Sequence, residues 1–334
     1  MKKLKIFSVL VLFGLGICVA VRPIYAQTFS LTVSPPVIEL TIKPDKSVVI
    51  AYTITNTGDP MVLKPYVRPF SPINVYGELA VADEFSGPIR FNLENSNIQL
   101  DTPFFLKNGG KQQLLLKIRV PEGTPEGDYY YSFLAENVPG KLAEGTSQPI
   151  TQGAIGSNIL ISVTNTGVFE SNAHISQFKV DAPYTLSLFG KKISMFESSD
   201  PIPVRLIAQN NGKGLIKPEG KITLSGDFGE ETSYDILPEN ILSNSSRLLH
   251  ATPSAKLLSK EESVIIEGFH MGKYVLRTSM HFGVKNQPVQ SSVVFYAFPI
   301  KLIAATGFAI IIGIIILKKF NSPENEDEKK EEEN

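Results

Sequence analysis

The sequence predicts an all-β protein: two β-sandwich domains in series, followed by one C-terminal transmembrane α-helix. Three observations predict it. Apolar and polar side chains alternate with a period of two over many short segments, Asn, Gly and Pro clusters separate those segments, and one long apolar run stands near the C-terminus, Phe298 to Leu317.

The N-terminal end comes first. Lys2, Lys3 and Lys5 precede an apolar stretch from Ile6 to Val21, and Ile24-Tyr25-Ala26 closes it with a small residue. Basic, apolar and cleavage regions in that order describe a secretory signal peptide over residues 1–26, cut between Ala26 and Gln27. An uncleaved anchor is the alternative. Cys18 is the single cysteine, and it follows Ile17, which is too large for a lipoprotein cleavage box. A mature chain starting at Gln27 therefore has no disulfide, and its stability must come from core burial.

Residues 27–166 and 167–296 form the two sandwich domains. Val48, Ile50, Tyr52 and Ile54 share one face of a strand, against Ser47, Thr53 and Thr55 on the other. Leu114, Leu116, Ile118 and Val120 do the same, as do Val204, Leu206 and Ala208, and then Tyr274, Leu276, Thr278 and Met280. Half-buried strands require this, because successive side chains point to opposite faces. Pro253 to Glu262 has room for a short helical turn.

Turn chemistry falls between the strands. Asn56-Thr57-Gly58, Asn165-Thr166-Gly167 and Asn210-Asn211-Gly212 each follow an apolar strand, where tolerance of positive φ lets the chain exit or reverse. A weak repeat emerges: a strand ending in Asn-x-Gly is followed later by Gly127-Asp128-Tyr129 in one half and Gly272-Lys273-Tyr274 in the other. In immunoglobulin-like sandwiches such a tyrosine sits at a sheet corner, so Tyr129 and Tyr274 are expected to be structural.

Residues 297–317 are apolar except for Lys301, and are long enough to cross the hydrocarbon as a helix, with Lys301 snorkelling outward. Lys318-Lys319 follow at once, which places the C-terminus in the cytoplasm and the β-domains outside the plasma membrane. The tail, residues 318–334, is acidic and lacks apolar residues after Phe320. Gly307 and Gly313 lack the four-residue spacing of close helix pairs.

Charge is nearly balanced, with a net charge of −1, so no nucleic-acid footprint is present. His174, His250, His270 and His281 stand far apart without ligand spacing, and no metal or cofactor is expected. Asp227, Glu230 and Glu231 cluster in a hairpin but lack a calcium-loop pattern. Asp83-Glu84 are adjacent and would face opposite ways on a strand. Gly109-Gly110 is expected to turn a hairpin. No nucleophile elbow is present, and the expectation is a protein that is not an enzyme. Leu237-Pro238-Glu239-Asn240 lacks the threonine and glycine of a sortase signal.

The order of several segments resembles a known family. These are Ser34-Pro35-Pro36-Val37-Ile38-Glu39, Pro44-Asp45-Lys46, Ile54-Thr55-Asn56-Thr57-Gly58, Asn74-Val75-Tyr76-Gly77-Glu78-Leu79 and Val120-Pro121-Glu122-Gly123-Thr124-Pro125-Glu126-Gly127-Asp128-Tyr129-Tyr130. Pro218-Glu219-Gly220-Lys221-Ile222, Leu237-Pro238 and Gly272-Lys273-Tyr274 follow in the second half. Together with signal, helix and charged tail, they are similar to the WxL-interacting surface proteins of Gram-positive bacteria. The resemblance implies peptidoglycan binding by the first domain and binding of a partner surface protein by the second. The expected function is therefore a membrane-anchored cell-surface binding or adhesion-type protein that recognises cell-wall polymer or a surface protein non-covalently. A structural subunit or spacer of a membrane complex is the alternative.

Overall fold

The computed structural model describes residues 29–138, 153–188, 190–252, 261–283 and 287–320. The signal-peptide cut at Ala26 and Gln27, Cys18, the acidic tail beyond Phe320 and most of the proposed helical turn at Pro253 lie outside the described residues. Strand is the main regular structure of the described residues, which hold one helix, at the C-terminal end.

It divides into two compact units. The first comprises residues up to Pro69, Ala82–Thr124 and Tyr129–Ile161; the second comprises Phe70–Val81, Pro125–Asp128 and the rest from Ser162. Strands β1 (Leu31–Ser34), β2 (Val37–Ile42), β3 (Ser47–Asn56), β4 (Met61–Pro72) and β5 (Leu79–Val81) come first in the chain. They are followed by β6 (Arg90–Leu93), β7 (Phe104–Leu106), β8 (Lys111–Arg119), β9 (Gly127–Asn137) and β10 (Ala154–Val163). One sheet has the order β1-β3-β8-β6; its facing sheet runs β2-β10-β9-β4-β5, with β7 also on β4. Ser34-Pro35-Pro36 thus carries the chain from one sheet to the other.

The first core closes between these sheets. Tyr52 on β3 stacks on Phe133 of β9 with centroids 4.7 Å apart, and both are fully buried. Burial pushes the Tyr52 hydroxyl up to about 12, and the hydroxyl accepts a hydrogen bond from Ser157 at 3.4 Å. Ile54, Leu114, Leu116 and Ile118 complete the layer as their alternation requires. Pro65 and Pro69 lie inside β4, a strand paired along those residues with β9. Their carbonyls accept from Asp101 and Ala82 on the other side, so the missing N–H groups cost no ladder bond. Gly109-Gly110 does not turn a hairpin: β7 pairs with β4 while β8 pairs with β3 and β6, so the turn crosses between sheets.

The second unit continues with β11 (Ala173–Val180), β12 (Tyr184–Leu188), β13 (Lys191–Glu197), β14 (Ile202–Asn210), β15 (Glu219–Gly226) and β16 (Glu231–Ile236). It ends with β17 (Ser245–Leu248), β18 (Ala251–Thr252), β19 (Val264–Ile266), β20 (Gly272–His281), β21 (Val289–Phe298) and helix α1 (Ile300–Phe320). A small sheet, β11-β14-β17 with β19, faces a seven-stranded sheet in the order β12-β13-β21-β20-β15-β16-β18. Their shared core holds Val204, Leu206, Ile222, Leu224, Tyr274, Leu276 and Phe295. The pairings along this larger sheet are antiparallel except that of β13 with β21.

The Asn-x-Gly triplets do not act through positive φ at Asn56, Gly58, Asn210 or Gly212, none of which adopts it. Asn56 and Asn210 are instead fully buried at the ends of β3 and β14. Asn56 Nδ2 donates to the carbonyls of Asp59, Leu106 and Lys107, while its Oδ1 accepts from Gly58 N at 2.9 Å. Asn210 Nδ2 donates to Gly214, Ile241 and Leu242, and its Oδ1 accepts from Gly212 N at 2.9 Å. Each asparagine ties the end of a strand to a distant loop by satisfying carbonyls that would otherwise be buried without partners. The triplet at Asn165 differs: Asn165 bonds the Glu126 carboxylate at an exposed position, and Gly167 does adopt positive φ.

Candidate binding face and membrane junction

The last strand runs almost directly into the helix. β21 ends at Phe298, Pro299 follows, and α1 begins at Ile300, within two residues. Pro299 suits that place just before the first turn, where no N–H is needed and its carbonyl accepts the first helical bond, from Ile303 N at 2.9 Å. Helix α1 is long and apolar enough to cross a membrane, with a mean hydropathy of 2.6 and no buried residue.

The turn after β13 grips this junction. The first turn of a helix leaves its backbone N–H groups without intrahelical partners. Glu197, only 5% exposed, accepts from Lys301 N at 2.9 Å. Its charge lies at the positive end of the helix dipole. Asp200 accepts from Lys301 Nζ at 3.1 Å, Ser198 N donates to the Phe298 carbonyl at 3.1 Å, and His270 N donates to the Ser198 carbonyl at 2.8 Å. Glu197, Ser198 and Asp200 thus join β21, α1 and the loop before β20. Nothing in the sequence marked Glu197, because its partner lies 104 residues away.

Tyr274 stands just behind that junction. It is fully buried, stacks on Phe295 at 5.4 Å and meets His270 edge-on at 5.2 Å. Its hydroxyl accepts from Met271 N at 3.1 Å and donates to the Glu230 carboxylate in a short hydrogen bond. Burial and the Glu230 bond both raise its pKa. Gly272 opens β20 at φ +99°, a backbone that a side chain would strain. Tyr129 is half-buried near the start of β9, after Gly127, and burial raises its pKa. Glu230 is engaged as the partner of Tyr274.

The other singled-out residues scatter. Among the described residues no group of three or more His, Cys, Asp or Glu is placed to hold a metal. Glu239, from the Leu237-Pro238-Glu239-Asn240 segment, bonds His250 at 3.0 Å and Arg247 at 3.3 Å. Burial alone would raise the Glu239 pKa, but the bonds from His250 and the Arg247 charge outweigh it and hold the group below its ordinary value. His174 is exposed on β11, and Asp83-Glu84 lie in an exposed loop.

The outward face of the seven-stranded sheet carries an open groove of about 760 Å³. Lys221, Thr223, Arg277, Ser279, Gln290 and Ser292 line it. The register explains why they converge. Lys221, Ser279 and Gln290 lie abreast on β15, β20 and β21, and so do Thr223, Arg277 and Ser292. With Glu231 and His281 also on its lining, the face offers hydroxyl, amide, imidazole, carboxylate and cationic groups together, which suits a polar ligand rich in hydroxyl and amide groups.

No family model matches the chain, and no curated protein matches it. Solved structures with some likeness exist. The class 5 fimbriae chaperone CfaA is 14% identical, aligned over 81% of this chain and all of that one, with a TM-score of 0.36. The SafB chaperone seen with the Salmonella enterica SafA pilin is 11% identical over 80% of this chain and 99% of that one, with a TM-score of 0.36. The Pseudomonas aeruginosa CupB2 chaperone is 7% identical over 78% and 97%, with a TM-score of 0.31. These scores are too low for any function to be carried across. The chain's own pairings show its fold: all-β, in sandwiched sheets, with one apolar C-terminal helix.

Proposed function

We propose that this is a membrane-tethered surface protein that binds an extracytoplasmic polymer without chemistry, through the polar outward face of its second unit. The observation that carries this reading is the convergence of Lys221, Arg277, Thr223, Ser279, Gln290 and Ser292 in one open groove. Helix α1 is the tether, and Lys318 and Lys319 in its last turn favour the cytoplasmic side, leaving the sheets outside the plasma membrane. A cell-wall polymer supplies the hydroxyl, amide and carboxylate groups that such a face can bond. Recognition of this kind is an equilibrium grip, and no step in it needs a nucleophile or a metal. The resemblance to WxL-interacting surface proteins supports a surface-binding role but places polymer binding in the first domain, so the choice of the second unit rests on this groove alone.

The test is co-sedimentation of the detergent-solubilised full chain with isolated peptidoglycan. Wild type is expected to pellet with the wall. Lys221→Ala with Arg277→Ala is expected to weaken binding at least about tenfold, since hydrogen bonds from charged groups are worth about 1.5–3 kcal/mol each. Pelleting that is absent, or indifferent to the double variant, overturns this assignment.

A second reading rests on β12. It is the outermost strand of its sheet, with Tyr184 and Leu186 nearly half exposed. An open edge of this kind accepts a strand from a partner protein. A stoichiometric complex recovered from solubilised membranes, lost on Leu186→Pro, favours this role as a subunit or as the receptor of a surface protein.

A further inference from the structure

The end of the second unit that meets α1 is unusually apolar for a solvated surface. Phe228 at the tip of the β15–β16 hairpin is 73% exposed, Phe269 is 66% and Met271 is 50%. Exposed apolar residues that gather at one place mark a contact surface, whereas scattered ones do not.

Register places all three at the level of helix entry. Gly272 pairs with Ala297, one residue before the end of β21. Gly226 pairs with Tyr274, and Asp227 N bonds the Lys273 carbonyl, so the hairpin tip carrying Phe228 reaches the same level. The Phe228 ring lies 3.2 Å from where a Cβ on Gly272 would stand. His270, between Phe269 and Met271, is bonded to Ser198, which is bonded in turn to Phe298. Phe298 is two residues from Ile300, or about 7 Å along an extended chain. The polar interface of a bilayer is about 5–8 Å deep on each side.

These tips are also held firmly. Gly226 N donates to the Glu230 carbonyl at 2.9 Å, and Met271 N is fixed by the Tyr274 hydroxyl, which Glu230 anchors from the other side. The outward face of β21 changes character in the same direction. Gln290 and Ser292 are polar, while Val294, Tyr296 and Phe298 nearer the helix are apolar. Tyr296 and Phe298 stack at 6.3 Å. Across the sheet Tyr296 is abreast of Met195, which is abreast of Tyr184. Asp227, Glu267 and Lys273 supply charge among them, as the headgroup layer tolerates.

We propose that Phe228, Phe269 and Met271 form a collar that enters the headgroup–acyl boundary of the leaflet where α1 begins, so that the second unit rests on the bilayer as well as being tethered to it. The occupant is lipid because the collar is continuous with α1, whose apolar surface is wholly unburied. The inference rests on α1 spanning the membrane, and its test separates the two claims.

The chain has no tryptophan, so each introduced indole reports alone. Phe228→Trp, Phe269→Trp, Gln290→Trp and Phe308→Trp, each in the full chain, are reconstituted into phosphatidylcholine vesicles with and without brominated acyl chains. Gln290 lies on the polar part of β21 and Phe308 lies in α1. The collar is supported if indoles at 228 and 269 are quenched several-fold more than at 290 and emit to the blue of it. If 308 is quenched while 228 and 269 behave like 290, the collar is refuted and the span stands. If 308 is not quenched either, the span fails and the collar falls with it. Near-identical far-ultraviolet dichroism across the four variants excludes misfolding, because all four sites are exposed and none is in the core.

Discussion

Asn56 in the first unit and Asn210 in the second make the same set of bonds, whereas Tyr129 and Tyr274, which follow in the same two repeats, do not share an environment. Each asparagine is fully buried, gives its amide to one nearby carbonyl and two carbonyls of distant loops, and accepts from the glycine two residues on. Tyr274 is sealed in the core with its hydroxyl fixed on two sides, while Tyr129 is only half-buried. The difference teaches where each unit needs rigidity. The asparagine solves a problem that both units have: a strand end that must stay buried beside loop carbonyls. The tyrosine of the second unit solves a local problem, holding the loop that meets α1.

The comparison breaks most visibly at the asparagines. Asn56→Ala or Asn210→Ala leaves buried carbonyls without partners, and each is expected to cost its own unit about 3 kcal/mol. Denaturant melts followed by hydrogen exchange of β3 and β14 amides check this. A loss in one unit but not in the other would show that the shared bonds are not a shared necessity.

The tyrosines come next. Tyr274→Phe keeps the ring stack on Phe295 and removes only the hydroxyl, which leaves Met271 N and the Glu230 carboxylate unpaired. A cost of about 2 kcal/mol is expected, with faster exchange at Met271. Tyr129→Phe is expected to cost less than half of that. Equal costs would erase the contrast between the two units.

A smaller effect is expected at the helix entry. Glu197→Gln keeps an oxygen acceptor for Lys301 N but removes the charge from the helix N-terminus. The expected loss is about 0.5–1 kcal/mol, seen as exchange at the first-turn amides of α1 in detergent micelles. Glu197→Ala removes the acceptor as well and should exceed it.

The strands were legible in the sequence because alternation reports burial directly. Tyr52 and Ile54 on β3, or Leu276 and Met280 on β20, point inward as their spacing demands. The apolar helix was legible for the same reason: its composition is its interaction. What stayed hidden depends on distant pairings. Asn56 and Asn210 stood in triplets that suggested backbone turns, yet their work is done by side chains bonding loops 31 to 51 residues away. Glu197 sits in an ordinary Glu-Ser-Ser-Asp loop, and only the parallel pairing of β13 with β21 brings it to α1. Gly109-Gly110 misleads in the other direction, since neighbours in sequence pair with different sheets there. The polar groove likewise needs three strands in register before its six side chains become one face.

The smallest expected effect concerns acid. His270 lies against Tyr274 in the second unit and is 7% exposed. Burial lowers its pKa from 6.5, and the Glu230 charge and a backbone bond at Gly268 only partly oppose this. Below its unfolded value and above its folded one, the unfolded chain binds the proton and the folded chain does not. Its contribution is therefore full above the unfolded pKa and is lost as pH falls through the folded value. Glu239 acts in the same unit at more acidic pH, because its depressed carboxylate contributes stability that is lost only as pH falls below the ordinary carboxylate range. Two successive losses are thus expected in the second unit on acidification, that of His270 first and that of Glu239 at lower pH. His270→Gln should flatten the slope just below the ordinary imidazole range while leaving the deeper acid limb unchanged. Since His270 packs edge-on against Tyr274, whose hydroxyl holds Met271 N, the same titration followed by exchange at Met271 should show the loop beside α1 loosening in the upper window. A slope that survives His270→Gln intact would mean that the proton responsible sits elsewhere in the unit.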